Sequence, residues 1–196
     1  HPRLVRAIQE AAGQLLNSAR PLVIAHRGFS AVAPENTIPT FERALAAGAD
    51  LVELDYHHSK DGALVVLHDS TLDRTTDATN RWAGKAIQIA DRPLAELREL
   101  QAGLWFKPPH PGVSLPTLDE VLAAYGHHTH INVELKQDRA RGRPLAPRVV
   151  ALIHQHGLAE RVIVSSFQFS NLRQVRALDP ALPVGLLYTL ATGGAR

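Results

Sequence analysis

The stretch "DLVELDYHHSKDGALVVLHD", residues 50–69, decides the fold because it holds two apolar runs joined by a very short link. Both runs are typical of buried β-strands, whereas the crossover helix that joins two parallel strands takes about a dozen residues or more. The letters "KDG" at 60–62 instead predict a tight turn after an extended return segment. One helix of a regular strand–helix series is therefore expected to be missing here.

Apolar runs and amphipathic segments alternate on both sides of this stretch. The apolar runs are 22–25, 50–55, 63–68, 130–136, 161–167 and 183–189, and the amphipathic segments are 4–19, 37–47, 117–126, 148–156 and 170–178. This alternation indicates a parallel α/β fold. The letters "HRGFSA" after the first run lack the Gly-x-Gly-x-x-Gly spacing of a dinucleotide-binding turn, which disfavours a doubly wound sheet. Polar residues gather at the C-terminal ends of several runs, which favours a (β/α)8 TIM barrel.

The composition predicts a single domain over residues 1–196. Hydrophobic residues make up 45% of the chain, and no apolar stretch approaches the roughly 18 residues of a membrane span. The formal charge of +2 gives no warrant for a nucleic-acid partner. The absence of cysteine excludes disulfides, thiolate metal sites and cysteine nucleophiles. We therefore expect neither nucleic-acid binding nor stable membrane insertion.

The end of the sequence predicts an unclosed barrel. Six strand candidates are fewer than the eight of a closed barrel, which typically takes about 250 residues. We expect strands 7 and 8 to be absent from these 196 residues, which would then be part of a longer chain. Because the sequence starts at His1 and contains no methionine, its N-terminus could be processed. We expect a cytoplasmic location and leave a secreted or periplasmic one open, together with the oligomeric state.

Carboxylates follow one face of two predicted strands. Side chains alternate along a strand, so Glu53 and Asp55 share a face, and so do Glu134 and Lys136. Three carboxylates that meet in a barrel mouth repel one another unless a cation lies among them, and oxygen ligands favour Mg²⁺, Ca²⁺ or Mn²⁺. The alternative is a set of ion pairs, with Glu134 bound to Lys136 or Arg27 and Glu53 bound to another arginine.

Two histidines stand at the ends of predicted strands, His26 after the first and His68 after the third. A neutral imidazole accepts a proton and a protonated one donates it, so the two could form an acid/base pair for hydrolysis. Hydrogen-bonded structural histidines are the alternative. Arg27 and Lys136 supply positive charge suited to a phosphate, or they form salt bridges with the neighbouring carboxylates.

Other polar residues are assigned structural roles. Asn36 and Thr37 stand where the next helix begins, and capping its first turn is the role we expect before any ligand role. Asp69 is expected to point away from His68 and to act in a turn or a cap. The paired histidines are expected on the surface, namely His57, His58, His127, His128, His154 and His156.

A long middle stretch, about 70–116, carries Trp82, Trp105 and Phe106 among prolines and glycines. It could form a cap over a substrate, but a small satellite core is the interpretation that we prefer. The loop "RARGR" at 139–143 follows the fourth strand and could attract anionic substrates, although a plain solvated loop is the expectation.

The motifs "AHRG" with "PENT", "ELD", "DGALVVLHD", "LDRTT", "VELK" and "SSF", in this order, closely resemble the glycerophosphodiester phosphodiesterase family. The resemblance runs from about Val23 to Tyr188, and the combination of motifs is what makes it specific. It implies a (β/α)8 barrel whose second unit is reduced, which accounts for the missing helix. It also implies an inserted segment after the third strand, which accounts for about 70–116.

The same resemblance implies a function and a set of site residues. The reaction is metal-dependent hydrolysis of a glycerophosphodiester to glycerol 3-phosphate and an alcohol, through a cyclic phosphate formed by the glycerol 2-hydroxyl. The alternatives are a lysophospholipase D-like hydrolase of the same superfamily and a noncatalytic binder of phosphate ligands. On the matching positions, the metal ligands are Glu53, Asp55 and Glu134, the acid and base are His26 and His68 in either order, and the phosphate ligands are Arg27 and Lys136.

Overall fold

The computed structural model describes residues 18–136 and 145–188. The strands in these ranges are β1 Ile24–His26, β2 Leu51–His58, β3 Leu64–Val66, β4 His130–Leu135, β5 Val162–Ser166 and β6 Val184–Leu186. The α-helices are α1 Ile38–Ala46, α2 Ala78–Trp82, α3 Leu94–Leu97, α4 Leu118–Tyr125, α5 Leu145–Gln155 and α6 Phe169–Leu178, with a 3₁₀-helix at Ile89–Asp91. The helix predicted at 4–19 and the arginine-rich loop at 139–143 lie outside the described residues.

One sheet contains all six of these strands. Its order is β1, β2, β4, β5 and β6, and each neighbouring pair along this path is parallel. Helices connect the parallel strands, as the alternating sequence pattern predicted, and the arrangement is that of a curled part of a (β/α)8 barrel. None of the helices in the described ranges combines the length and the hydropathy that a membrane crossing requires.

The short link between β2 and β3 forms a hairpin. As predicted, no helix lies between these two strands, and the turn at 59–63 is closed by a hydrogen bond from Ser59 N–H to the Ala63 carbonyl oxygen at 2.9 Å. β3 pairs with β2 in the antiparallel sense. Counting the 63–68 run among the barrel's parallel strands was therefore wrong, because so short a link permits only a hairpin.

The connection from β2 to its parallel neighbour β4 consequently includes β3, the long middle stretch and helix α4. α4 begins with a capping box, in which Thr117 N–H donates to the Glu120 carboxylate at 2.9 Å and the Glu120 N–H donates to the Thr117 hydroxyl. The capping box fixes where α4 begins, and α4 is followed by β4, the strand that carries Glu134.

Two separate hydrophobic clusters hold the molecule together. The barrel core lies between the sheet and the helices and includes Val52, Leu54 and Tyr56, the alternate residues of β2. The satellite core lies under the middle stretch and includes Leu72, Ile89, Leu97, Leu100 and Leu115, with Trp82 packed against it. The stretch expected to be an insertion therefore forms a satellite core, as the sequence favoured, but Trp105 and Phe106 are not part of it and contact each other edge to face.

Candidate metal centre and active site

Strand register brings the three predicted carboxylates together. Glu53 and Asp55 alternate with core residues along β2, and Asp55 lies directly opposite Glu134 on the parallel strand β4. One oxygen from each of the three carboxylates lies within 4.8 Å of the others, and all three side chains are buried. Carboxylate oxygens are hard ligands of the kind that divalent cations prefer. This buried triad could hold a divalent metal.

Two positively charged side chains lie beside the triad. Lys136 Nζ lies 2.7 Å from both Asp55 Oδ1 and Glu134 Oε1, and Arg27 Nε lies 3.6 Å from Asp55 Oδ2. The ion pair between Glu134 and Lys136 that the sequence left open as an alternative is thus present. It does not exclude a metal, because a carboxylate has several acceptor positions.

Burial is the main influence on the pKa of Glu53. Glu53 accepts a hydrogen bond from the backbone N–H of Arg27 at 2.9 Å. Nevertheless burial, followed by repulsion from Asp55, raises the pKa of Glu53 to about 8. A buried carboxyl group with a raised pKa gains from an additional cation beside it, so the residues present fit a divalent metal.

The two predicted histidines reach the mouth by different routes. His26 ends β1 opposite Glu53, with 3.9 Å between His26 Nε2 and Glu53 Oε2. Partial burial, followed by the Arg27 charge, lowers the pKa of His26. His68 follows the antiparallel β3, where Leu67 N–H donates to the Asp55 carbonyl oxygen at 3.0 Å, and it lies near enough to His26 for its charge to contribute to the lowered pKa of His26.

Two residues given structural roles by the sequence lie instead in the site. Asp69 was expected to point away from His68, but Asp69 Oδ1 lies 2.6 Å from His68 Nδ1. Asn36 was expected to cap the next helix, but its amide Nδ2 donates to Asp55 Oδ2 at 2.9 Å. Thr37 does occupy the N-cap position of α1, although its hydroxyl donates to the Pro34 carbonyl oxygen and not to the helix amides.

The expectation that His57 and His58 lie on the surface was also wrong. Both are buried, because β2 continues to His58 and its whole length lies inside the molecule. His57 Nε2 lies 3.0 Å from the His68 carbonyl oxygen, so it supports the backbone that carries His68. The tight turn predicted only at 60–62 was the available signal, because a strand that continues up to this turn contains both histidines.

Sequence reasoning missed further polar residues that face the site. Asn132 lies opposite Glu53, and Ser165 lies opposite Glu134, so both share the face of the sheet that carries the carboxylates. The Asn132 Oδ1 and Ser165 Oγ atoms are buried and have no hydrogen-bond partner among residues 18–136 and 145–188. Because buried polar atoms are normally hydrogen-bonded, these two atoms could bind a polar ligand in the site. The run of alternating polar letters in "HINVELK" was the signal for Asn132.

Sheet and site together define a protein of the (β/α)8 barrel class, with an acidic site that could hold a cation at the carboxyl ends of its strands. Comparison with known proteins narrows this class. The model of the glycerophosphoryl diester phosphodiesterase family matches residues 26–193, and the chain belongs to this family.

Curated relatives carry matching names. The chain is 41% identical to the glycerophosphodiester phosphodiesterase of Caldanaerobacter subterraneus subspecies tengcongensis, over 86% of this chain and 67% of that protein. It is 38% identical to a glycerophosphodiester phosphodiesterase of Bacillus subtilis, over 87% of this chain and 60% of that protein. The chain thus spans about two thirds of the length of the curated relatives that it matches.

Solved structures agree with the fold. A glycerophosphodiester phosphodiesterase from Agrobacterium tumefaciens superposes with a TM-score of 0.73 at 31% identity, over 84% of this chain and 66% of that one. A phosphodiesterase from Oleispira antarctica, solved in complex with the product sn-glycerol-3-phosphate, gives a TM-score of 0.72 at 36% identity, over 85% and 65% of the two chains.

Proposed function

We propose that this protein is a metal-dependent phosphodiesterase that hydrolyses glycerophosphodiesters to glycerol 3-phosphate and an alcohol. The observation that carries the proposal is the buried triad of Glu53, Asp55 and Glu134 beside the cations Arg27 and Lys136. Membership of the family supports the same reaction, and so does the product bound to the Oleispira antarctica relative.

The triad would hold the cation, which we expect to be Mg²⁺, Ca²⁺ or Mn²⁺ because the ligands are all carboxylate oxygens. When bound, such an ion acts as a Lewis acid that stabilises negative charge on the phosphate and on the leaving alkoxide. Glu53 would gain most from it, because its anionic form is the one that burial and Asp55 disfavour.

Arg27 and Lys136 would bind the phosphate group. Both lie against Asp55, at 3.6 Å and 2.7 Å, so their positive charges are held at the edge of the triad. A guanidinium group can donate two parallel hydrogen bonds to a phosphate, and an ammonium group adds a compact charge. Together they would orient the phosphorus for attack.

His26 and His68 would move the protons. Attack of the glycerol 2-hydroxyl on phosphorus releases one proton, and departure of the alcohol takes one up, so this step needs a base and an acid. Water then opens the cyclic phosphate, its hydroxyl going to phosphorus and its proton to the glycerol 2-oxygen, which gives glycerol 3-phosphate. The two imidazoles come from different elements, one from the end of β1 and one from the segment after β3. Such an arrangement suits two groups that act on opposite sides of one phosphorus.

The test is release of glycerol 3-phosphate from glycerophosphocholine. The protein is treated with EDTA, and Mg²⁺, Ca²⁺ or Mn²⁺ is added back, for the wild type, for His26→Ala and for the control His154→Ala. His154 is an exposed histidine on α5 that lies 2.9 Å from Asp179. We expect release that requires added metal, persists in His154→Ala and falls about a hundredfold or more in His26→Ala.

Other outcomes would replace parts of the proposal. Release that EDTA does not affect contradicts the metal, and undiminished release by His26→Ala contradicts the role of that histidine. Release of choline from lysophosphatidylcholine, without turnover of glycerophosphocholine, would identify the acylated substrate as the correct one. Binding of glycerol 3-phosphate without turnover of either substrate would identify a noncatalytic binder.

A further inference from the structure

An unbroken series of charged contacts connects the proposed phosphate ligand Arg27 to the proposed acid/base residue His68. Arg27 Nη1 lies 3.1 Å from Glu35 Oε1, and the Glu35 carboxylate also accepts from Arg74. Arg74 donates to Asp69, and Asp69 Oδ1 lies 2.6 Å from His68 Nδ1. Arg74 stands at the centre of this series and belongs to the middle stretch, outside the barrel.

The guanidinium of Arg74 engages both carboxylates with paired hydrogen bonds. Its Nη1 and Nη2 donate to the two oxygens of Glu35 at 2.9 Å and 2.7 Å. Its Nε and Nη2 donate to the two oxygens of Asp69 at 2.6 Å and 3.1 Å. Only the planar fork of an arginine can make such contacts in two directions, and a lysine ammonium cannot replace it.

Both carboxylates are anions at neutral pH. Burial alone would raise the pKa of Glu35, but the hydrogen bonds and charges of Arg74 and Arg27 outweigh it and lower that pKa. The hydrogen bonds of Arg74 lower the pKa of Asp69 to about 2. An ionised carboxylate is an acceptor only, so His68 Nδ1 carries the proton of the bond to Asp69 and Nε2 is left for proton transfer.

The segment that presents Arg74 is itself fixed. Leu72 is fully buried in the satellite core. The Asp73 carboxylate accepts hydrogen bonds from the backbone N–H groups of Ala86 and Ile87, at 2.6 Å and 3.0 Å. Arg74 therefore extends from an anchored turn and not from a loose loop.

We propose that Arg74 is a positioning residue, which holds His68 through Asp69 and Arg27 through Glu35. The inference deepens the proposed phosphodiesterase function and rests on it. It gives the middle stretch a part in the chemistry, since the satellite core would serve to place one guanidinium between two site residues.

The test compares Arg74→Leu and Arg74→Lys with the control Arg81→Leu. Arg81 lies in the same stretch, has the same exposed side-chain fraction of 42% and pairs with Glu99. We expect Arg74→Leu to lower kcat about ten- to a hundredfold and to raise KM severalfold, with Arg74→Lys in between and Arg81→Leu unchanged. Melting temperatures measured in parallel separate these kinetic effects from unfolding. If Arg74→Leu does not fold, the kinetic constants of Arg74→Lys test the same prediction.

Two further variants separate the two arms of the series. Asp69→Asn should reproduce the loss in kcat, and Glu35→Gln should reproduce the rise in KM. Adding Arg74→Leu to Asp69→Asn should cause little further loss in kcat, because both substitutions interrupt the same arm. Losses that multiply independently, or a folded Arg74→Leu with normal kcat and KM, would overturn the inference.

A ¹⁵N NMR spectrum of the imidazoles gives a readout that needs no turnover, with the His68 signal identified by its absence from His68→Asn. We expect protonated Nδ1 in the wild type and a shift toward protonated Nε2 in Arg74→Leu. If this shift occurs but the wild type turns over no substrate, the proposed function fails and the positioning role stands. If the wild type is active and neither tautomer nor kinetics depends on Arg74, the positioning role alone fails.

Discussion

The barrel and the middle stretch each bring a carboxylate to the candidate site, and the pKa values of these two groups move in opposite directions. Burial and the nearby Asp55 raise the pKa of Glu53, in the barrel, to about 8. The Arg74 hydrogen bonds lower the pKa of Asp69, next to the satellite core, to about 2. The barrel thus buries a carboxyl group that would be stabilised as an anion by an added cation, whereas the Asp69 carboxylate is already paired with Arg74.

The two sides also differ in how they fix their residues. Backbone register places Glu53 and Asp55, because β2 alternates between the barrel core and the site. Side-chain ion pairs place Asp69 and Arg74, which belong to short irregular segments. We therefore expect β2 to keep its geometry when the charge of Glu53 or Asp55 is removed. The arrangement of Asp69 and Arg74 should be lost when either of these charges is removed.

The largest effect is expected from Glu53→Gln. The substitution removes a proposed metal ligand and should lower kcat about a hundredfold or more. It also removes a buried charge, so in EDTA at pH 8 to 9 the melting temperature should stay level or rise. The sign follows from the raised pKa: stability falls as pH rises above the unfolded pKa of about 4.3, and the loss is complete above about 8.

Activity assays with added Mg²⁺ and thermal melts in EDTA check both parts of this prediction, with Asp119→Asn as the control. Asp119 is an exposed carboxylate on α4 that lies 2.7 Å from His156. A Glu53→Gln variant that is inactive and also much less stable in EDTA would contradict the destabilising effect expected of the buried Glu53 anion. It would mean that Glu53 serves mainly to hold the fold.

An intermediate effect is expected from a cavity in either core. Leu54→Ala in the barrel core and Leu97→Ala in the satellite core each truncate a fully buried side chain, which costs about 2–5 kcal/mol. If the two cores are separate cooperative units, Leu97→Ala should speed hydrogen exchange within about 70–116 and lower kcat, while the barrel amides stay protected.

Hydrogen exchange followed by mass spectrometry, together with urea denaturation, shows whether the two cores unfold separately or as one unit. Leu54→Ala is the reference, since it should speed exchange throughout the sheet. A uniform rise in exchange after Leu97→Ala would show that the two cores unfold as one unit, so that the barrel and the middle stretch would differ in charge but not in cooperativity.

The residues that strand register places could be predicted from the sequence, whereas those that side-chain ion pairs place could not. The alternation in "DLVELD" and "HINVELK" placed Glu53, Asp55 and Glu134 on strand faces, since a period of two is a local property. The short link after β2 likewise predicted the missing helix. The tight turn predicted at 60–62 also agrees with the hairpin of β2 and β3, and only the inclusion of the 63–68 run in the count of barrel strands was inconsistent with it.

The contacts of Asn36, Asp69 and Arg74 could not be predicted in this way. Asn36 reaches Asp55 across 19 positions of sequence, and Arg74 reaches Glu35 across 39. No periodicity joins residues at such separations, and each occupies a turn or a loop where local rules favour a cap or a solvent-facing side chain. Such partners depend on tertiary structure, which is why the ion pairs around His68 became visible only there.

The smallest effect is expected from Asp69→Asn on stability in acid. A carboxyl group whose pKa is lowered on folding stabilises the fold above its unfolded pKa of about 3.9, and the contribution is lost as pH falls toward about 2. Since the pair with Arg74 is partly exposed, we expect Asp69→Asn to lower the free energy of unfolding by only about 0.5–1 kcal/mol at pH 7. Urea denaturation at pH 7, 4 and 2.5 should show this difference shrink as the acid protonates Asp69 in the wild type. A difference that stays constant over this range would mean that Asp69 contributes packing or a neutral hydrogen bond, and that the charge of its ion pair with Arg74 does not stabilise the fold.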